Sequence, residues 1–183
     1  LIQNLFLQGA QIDMFGVGER MITAKSEPVF GGVYKLTAVE NEQGEIIPKI
    51  KCSENVEKIT IPHFKKVYRL YNKENGKAIA DYMTVYDEVV DENEPMMLFD
   101  PYATWKTKNV CNYQARELLV PVFLKGKRVY ESPALKDIQT YCKQQVDTLW
   151  DEIKRFDNPQ TYYVDLSQKL WDIQQELLRK NRN

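Results

Sequence analysis

The sequence contains little of the material from which metal sites and disulfide frameworks are built. It has one histidine, His63, and three widely spaced cysteines, Cys52, Cys111 and Cys142, with no Cys-x-x-Cys pair. An odd number of cysteines does not fit a disulfide scaffold, and a single histidine does not complete a structural zinc site. We therefore expect neither feature, and we expect Cys142 to be buried on the apolar side of a helix.

The sequence also lacks a surplus of positive charge and a long apolar run. Its 25 basic side chains stand against 26 acidic ones, so nucleic acid, whose phosphates need neutralising, is not an expected partner. No apolar run reaches the roughly 20 residues of a membrane helix, and no signal-like segment lies near the start. These features predict a cytoplasmic protein with no membrane partner, and the 43% of hydrophobic residues is enough for a core.

The first thirty residues predict a helix, a strand and a glycine turn. Apolar residues at positions 1, 2, 5 and 6 indicate the end of an amphipathic helix, which Gly9 is well placed to terminate. Residues 10–15 predict a short buried strand, and residues 19–30 predict a long loop. Because the helix is already under way at Leu1, we expect the chain to begin inside a domain.

The middle of the sequence predicts antiparallel β-structure. Three pairs of apolar or alternating segments lie at 33–39 and 46–50, at 66–71 and 77–85, and at 114–123 and 128–130. The turns between them are Asn41-Glu-Gln-Gly44, Asn72-Lys-Glu-Asn-Gly76 and Lys125-Gly126. Tyr68 and Tyr82 fall on alternating positions of the second pair, where packing explains them.

Two helices are predicted near the C-terminal end. Ser132 is suited to cap the first, with Pro133 at its first position. Its apolar stripe runs from Leu135 to Phe156, and Asn158-Pro159 ends it. The second helix carries four apolar residues on one face, Leu166, Leu170, Ile173 and Leu177.

The loop Phe15-Gly-Val-Gly-Glu-Arg-Met-Ile-Thr23 carries the most chemistry. Two glycines spaced by one residue let backbone amides approach an anion without interference from a Cβ. After a strand, such a loop predicts a phosphate cradle, to which Arg20 or Lys25 would add positive charge. By spacing alone the pattern is weak, and an ordinary tight turn is the alternative.

The neighbouring segments make this loop part of a longer pattern. Phe15-Gly-Val-Gly18, a loop of about a dozen residues and then Phe30-Gly-Gly-Val-Tyr-Lys-Leu36 together resemble the nicotinate phosphoribosyltransferase family. The segments 48–62 and 65–69 resemble the next segment of that family, and 158–167 resembles its closing segment. The resemblance thus extends over essentially the whole chain, in the family's order.

The resemblance implies an enzyme that joins nicotinate to phosphoribosyl pyrophosphate, with Mg²⁺ and ATP, to give nicotinate mononucleotide and pyrophosphate. This is the first step of NAD salvage from nicotinate, and the resemblance further implies a homodimer. The family's catalytic histidine belongs to a motif upstream of this segment, so His63 does not match it and is predicted to be a turn residue. We therefore expect no catalytic residue in this chain and no activity from the chain alone.

The expected fold is α+β. In terms of the family, residues 1–36 are the end of an α/β barrel with the phosphate loop, residues 37–130 are an antiparallel β region, and residues 131–183 are a C-terminal helical segment.

The resemblance assigns the 5-phosphate of the phosphoribosyl group to the loop backbone, at Gly16, Val17, Gly18 and Glu19. Many relatives have threonine where this chain has Glu19, whose carboxylate would repel a phosphate unless it is turned away or paired with Arg20. Arg20 is a candidate anion ligand, with a surface salt bridge as the alternative.

Three further residues are expected near the substrate. Gly31 and Gly32 would let the returning chain pass close to the phosphate. Lys35 alternates with Tyr34 on the predicted strand, and points either toward the phosphate or into solvent.

Two other functions stay open at this stage. One is a stand-alone β-rich binding module, in which tyrosines and lysines line a partner site. The other is a sibling phosphoribosyltransferase that uses nicotinamide or quinolinate and shares the glycine loop.

Overall fold

The computed structural model describes residues 1–29 and 31–181. The chain divides into two compact units, Leu1–Tyr34 and Lys35–Asn183. Phe30, the first residue of the predicted block 30–36, lies outside the described residues, as do the last two residues of the chain. None of the helices in the described part combines the length and the apolar run that a bilayer crossing requires.

The first unit contains two short helices, α1 (Ile2–Leu7) and α2 (Glu19–Ile22). Gly9 follows α1 with a φ of 80°, so the predicted helix and its glycine terminator are confirmed. The strand predicted at 10–15 is wrong, since the described residues of this segment form no strand. A strand needs a neighbour to bind its backbone groups, and this unit supplies none among its described residues. The segment predicted as a long loop begins with the single turn of α2.

The described residues of the second unit form ten strands, two α-helices and one short 3-10 helix, Val56–Lys58. In chain order the strands are β1 (Ala38–Glu40), β2 (Ile46–Pro48), β3 (Lys65–Asn72), β4 (Ala78–Val85), β5 (Met96–Phe99), β6 (Thr107–Val110), β7 (Tyr113–Glu117), β8 (Phe123–Leu124), β9 (Lys127–Arg128) and β10 (Val164–Leu166). The helices are α3 (Leu135–Asp147) and α4 (Gln168–Lys180). The mixed α+β class is therefore confirmed.

The largest sheet has the order β10-β4-β3-β7. The hairpin of β3 and β4 confirms the alternating pattern, and its turn is fixed locally because the Asn72 side chain accepts a hydrogen bond from the Glu74 amide at 2.7 Å. β7 pairs antiparallel with β3, while β10 pairs parallel with β4. Three two-stranded hairpins accompany this sheet: β1 with β2, β5 with β6, and β8 with β9.

Several predicted strand limits are wrong. The strand predicted at 33–39 begins only at Ala38, and the one predicted at 114–123 divides into β7, which ends at Glu117, and β8, which begins at Phe123. The division follows the pairing, because β7 binds β3 whereas β8 turns back through Lys125-Gly126 onto β9. The hairpin of β5 and β6 and the strand β10 were not predicted.

The predicted capping and length of the first C-terminal helix are also wrong. Helix α3 has Ala134 rather than Ser132 at its N-cap and ends at Asp147. Its last carbonyls are bound by the neighbouring hairpin: Lys77 Nζ donates to the Asp147 carbonyl at 2.9 Å, and the Ala78 amide donates to the Thr148 carbonyl at 2.9 Å. These bonds replace the next helical turn.

Helix α3 is amphipathic but does not pack into either core cluster. None of its residues is buried, and Cys142 is exposed, so the prediction that Cys142 lies in a core is wrong. Of the predicted apolar stripe, only Leu149 and Ile153, which follow the helix, are half-buried, and the stripe residues on the helix itself are exposed. Periodicity alone does not show whether a stripe is covered.

The core of the second unit consists of two clusters of buried residues. The first contains Leu70, Ala80, Leu98, Val110 and Tyr113, with Tyr68 and Tyr82 packed against it. The second contains Val85, Leu166 and Leu170. Leu170 brings α4 onto β4, and Ser167 caps α4 by accepting a hydrogen bond from the Leu170 amide at 3.1 Å. Leu166, which was predicted on the helix, lies in β10 instead.

Candidate functional site

The glycine loop of the first unit lines a concave surface with a volume of about 440 Å³. Its lining includes all five residues that the sequence assigns to phosphate, Gly16, Val17, Gly18, Glu19 and Arg20. Apolar residues complete the lining, among them Leu5, Phe15 and Met21. The rings of Phe6 and Phe15 pack edge to face at 5.7 Å, which ties α1 to the start of the loop.

The backbone amides of this loop are not used by the chain's own secondary structure. Within the described residues, none of the amides from Gly16 to Arg20 donates a hydrogen bond to a backbone carbonyl. The first amides after them that do are Met21, to the Gly18 carbonyl at 3.1 Å, and Thr23, to the Glu19 carbonyl at 2.9 Å. The loop thus presents consecutive free donors at the surface, as an anion site requires.

The packing of the chain does not explain why this loop contains glycine. Gly18 has a φ of −90°, which any residue adopts, and a Cβ added at Gly16 or Gly18 would meet no atom within 4 Å. The same is true of the space around Gly31 and Gly32. Open space at all four positions leaves close approach of a ligand as a physical reason for their lack of a side chain.

The charged residues after the loop are exposed. Glu19 and Arg20 form no ion pair with one another, and within residues 1–29 and 31–181 Arg20 has no salt-bridge partner. The surface salt bridge considered for Arg20 is therefore not formed there. Its guanidinium group is available to an anion.

Lys35 belongs to the second unit, where its ammonium group donates a hydrogen bond to the Lys58 carbonyl at 3.2 Å. Gly31 and Gly32 are exposed residues of the first unit. The sequence placed these three residues near one ligand, and the structure divides them between two compact units.

His63 lies in a bend just before β3, with a φ of 79°. Its Nδ1 accepts a hydrogen bond from the Phe64 amide at 3.0 Å, and its ring stacks at 6.1 Å from that of Tyr86. The predicted role as a turn residue is confirmed.

The described residues contain no group of three or more His, Cys, Asp or Glu side chains that could hold a metal ion.

A partly buried ion pair joins the two central strands of the sheet. Arg69 donates to Asp81 through Nε at 2.7 Å and through Nη2 at 2.9 Å, and the Tyr162 hydroxyl donates to the same carboxylate at 2.9 Å. The hydrogen bonds that Arg69 donates to Asp81 raise the pKa of Arg69, and burial raises the pKa of Tyr162. The Arg69 guanidinium and the Tyr162 hydroxyl both donate to the Asp81 carboxylate, so these three side chains satisfy one another and stabilise the fold.

A second charged group, Asp165, was not predicted from the sequence. It lies in the middle of β10 and is 5% exposed, and its Oδ1 has no hydrogen-bond partner. Burial, together with the charge of Asp100, raises the pKa of Asp165 to about 6. The one available signal was a carboxylate between Val164 and Leu166, in a segment otherwise fit for a buried strand.

The chain matches one family profile, that of the nicotinate phosphoribosyltransferase C-terminal domain, over residues 64–174. It is 44% identical over 170 residues to the nicotinate phosphoribosyltransferase of Bacillus subtilis, a match that covers 93% of this chain and 34% of that protein. The nicotinate phosphoribosyltransferase of Dictyostelium discoideum is 31% identical, with 90% of this chain and 28% of that protein covered.

A solved structure shares the fold. The crystal structure of human nicotinic acid phosphoribosyltransferase aligns with a TM-score of 0.59 and 23% identity, over 65% of this chain and 24% of that one. The chain spans about a third of the length of the curated relatives it matches. As the segments around the glycine loop predict, the chain belongs to the nicotinate phosphoribosyltransferase family.

Proposed function

We propose that this chain is the C-terminal part of an enzyme that joins nicotinate to phosphoribosyl pyrophosphate, giving nicotinate mononucleotide and pyrophosphate with hydrolysis of ATP. The observation that carries the proposal is the match of the family profile over residues 64–174. The relatives from Bacillus subtilis and Dictyostelium discoideum carry the name of this activity and extend over both units. The whole enzyme, by the same resemblance, is a cytoplasmic homodimer that uses Mg²⁺.

In this proposal the backbone from Gly16 to Glu19 holds the 5-phosphate of the phosphoribosyl group. Free amides, open space around the glycines and the unpaired Arg20 guanidinium support this assignment. The Glu19 carboxylate turns away from the phosphate, since two negative groups in contact would repel each other. Gly31 and Gly32 let the chain pass close to the sugar, and the loop closes an α/β barrel supplied mainly by the rest of the enzyme.

The loop contributes orientation to the reaction. The pyridine nitrogen of nicotinate displaces pyrophosphate at the anomeric carbon, several bonds away from the 5-phosphate. Binding energy at that remote group fixes the sugar in the geometry of attack and so lowers the barrier. The residues of this chain therefore bind the 5-phosphate and position the sugar. The groups that contact nicotinate and pyrophosphate lie elsewhere in the enzyme.

The test replaces Gly18 with valine in the full-length enzyme and measures steady-state kinetics. A side chain at Gly18 blocks the approach of the phosphate, so the KM for phosphoribosyl pyrophosphate rises about tenfold or more while the KM for nicotinate changes little. Ser26→Val, which places the same valine side chain at an exposed position outside the loop, is the control and leaves both constants unchanged. Equal KM values for the two variants would refute the phosphate assignment.

A second assay addresses the chain by itself. We expect no formation of nicotinate mononucleotide by the 183 residues, because the groups that act on nicotinate and pyrophosphate are assigned to other parts of the enzyme. Product formation by this chain, detected by chromatography, would contradict that division of roles.

A further inference from the structure

The second unit contains a cavity of about 190 Å³ beside the β5–β6 hairpin. Its inner wall consists of buried residues of three strands, Ala80, Leu98 and Asp165. Asp165 pairs with Tyr82 in the register of β10 and β4, so its side chain lies on the same face of the sheet as Ala80. Two exposed lysines, Lys106 and Lys108, complete the lining on the outer side.

Asp165 is one of the residues that line this cavity. Its Oδ1 is buried and has no hydrogen-bond partner, although the side chains of nearly all buried polar residues in proteins have one. An unpaired carboxylate oxygen in such a place destabilises the fold unless something outside the chain binds it. The unpaired oxygen therefore destabilises the chain alone, and a bound partner that donates to the carboxylate would remove that cost.

The other charged groups of the cavity do not satisfy Asp165. Asp100 repels it and is itself engaged, since Asp100 Oδ1 accepts hydrogen bonds from the Tyr102 amide at 2.9 Å and the Ala103 amide at 3.2 Å. Lys108 attracts Asp165 electrostatically, but within the described residues no salt bridge joins them. The lysine is near enough to affect the carboxylate and too far to neutralise it by contact.

The charges of the lining differ in exposure by sign. Asp165 is buried and Asp100 is half-buried, whereas Lys106 and Lys108 are exposed, which gives an inner acidic layer and an outer basic layer whose four formal charges cancel. A simple cation would meet the lysines on its way in, and a simple anion would meet the carboxylates inside. A molecule with a positive end and a negative end matches both layers.

We propose that this cavity binds a small zwitterionic molecule, whose ammonium group donates to Asp165 and whose anionic group lies between Lys106 and Lys108. The apolar wall formed by Ala80 and Leu98 accommodates a short aliphatic link between the two charged ends. The volume limits the ligand to a few carbon atoms besides its charged groups. The anionic end is a carboxylate or a phosphate, and both fit an ammonium pair. This inference does not depend on the activity proposed for the whole enzyme.

Calorimetric titration of the chain tests the proposal with two probes, β-alanine and phosphoethanolamine. At least one binds, and the difference between them shows whether the anionic end is a carboxylate or a phosphate. Ethylammonium and propionate, which each carry one of the two charges, bind at least about tenfold more weakly. Absence of binding by both zwitterions would overturn the proposal.

Variants locate the site. Asp165→Asn keeps the shape and removes the charge, and weakens the bound probe by about tenfold or more, while Lys108→Ala weakens it by a smaller factor. Lys127→Ala removes an exposed lysine outside the cavity and leaves the affinity unchanged. Circular dichroism of each variant verifies folding. Equal affinity of wild type and Asp165→Asn would place the probe elsewhere and refute the site.

The pKa of Asp165, measured in the wild-type chain, gives a second test. In a carbon-13 NMR titration, a bound ammonium group favours the ionised carboxylate and lowers the apparent pKa of Asp165. If the Asp165 resonance titrates identically with and without the probe, the probe does not contact that carboxylate, and the proposal fails.

Discussion

The two units of the chain differ in what holds them together. Every buried apolar residue among the described positions lies in the second unit, whereas residues 1–29 and 31–34 contain none. The first unit nevertheless carries the loop with free amides, and the second matches the family profile. Because it buries no apolar residue, we expect the segment with the proposed phosphate chemistry to have little stability of its own. Binding loops are commonly drawn from such low-stability regions, while a packed core elsewhere provides the scaffold.

The largest expected effect contrasts one leucine from each unit. Leu70→Ala removes a side chain with 0% exposure and opens a cavity between β3 and its neighbours, so the free energy of unfolding falls by about 3 kcal/mol. Leu7→Ala, at 77% exposure, changes it by less than about 0.5 kcal/mol. Urea unfolding followed by circular dichroism measures both. Similar losses would show that the first unit has a core that its side-chain exposure does not reveal.

A smaller effect separates buried from exposed ion pairs within the second unit. Asp81→Ala leaves Arg69 without its bidentate partner in a partly buried position, and costs about 2 kcal/mol. Asp87→Ala breaks the pair with Lys169, in which both side chains are half exposed, and costs close to zero. Chemical denaturation at two salt concentrations measures the two losses. A loss for Asp87→Ala as large as that for Asp81→Ala would mean that the exposed ion pair stabilises the fold as much as the partly buried one does.

Asp165 makes the stability of the second unit depend on pH. Its pKa is raised to about 6 in the folded chain, so folding favours the protonated form, and this stabilisation is present at pH 4 and lost as the pH rises through about 6. Asp165→Asn removes the titration, and its stability relative to wild type increases between pH 4 and pH 8, by on the order of 1 kcal/mol. Urea midpoints across that range measure the change. A constant difference would show that Asp165 does not titrate there.

The smallest effect concerns helix capping. Ser167 caps α4, whereas α1 and α2 of the first unit have no side-chain cap. Ser167→Ala costs about 1 kcal/mol of unfolding free energy. Ser132→Ala costs nothing measurable, because Ser132 does not cap α3. Thermal melts of the two variants measure these effects. A loss for Ser132→Ala would support the cap predicted from the sequence over the one seen in the structure.

The features that the sequence predicts are those set by nearby residues. The hairpin of β3 and β4 follows from alternation and from the turn at 72–76, and the end of α1 follows from Gly9. Phosphate binding by the glycine loop is also inferred from consecutive residues, and that assignment stays a prediction. The structure then adds the free amides and the open space around them.

The features that the sequence misses depend on distant partners. The strand predicted at 10–15 has the right composition but no neighbour to bind among the described residues, and Cys142 lies on an apolar stripe yet is exposed. Strand β10 has three residues and pairs with β4 about eighty positions earlier, a contact that no local pattern encodes. Asp165 was missed for the same reason, because its burial follows from that pairing.

The position of β4 has a consequence for synthesis of the chain. One edge of β4 is bound at once by β3, which precedes it, while the other edge waits for β10 at residues 164–166. During translation the open edge is a template for pairing with another nascent chain. We therefore expect a risk of aggregation during the interval in which β4 has been synthesised and β10 has not.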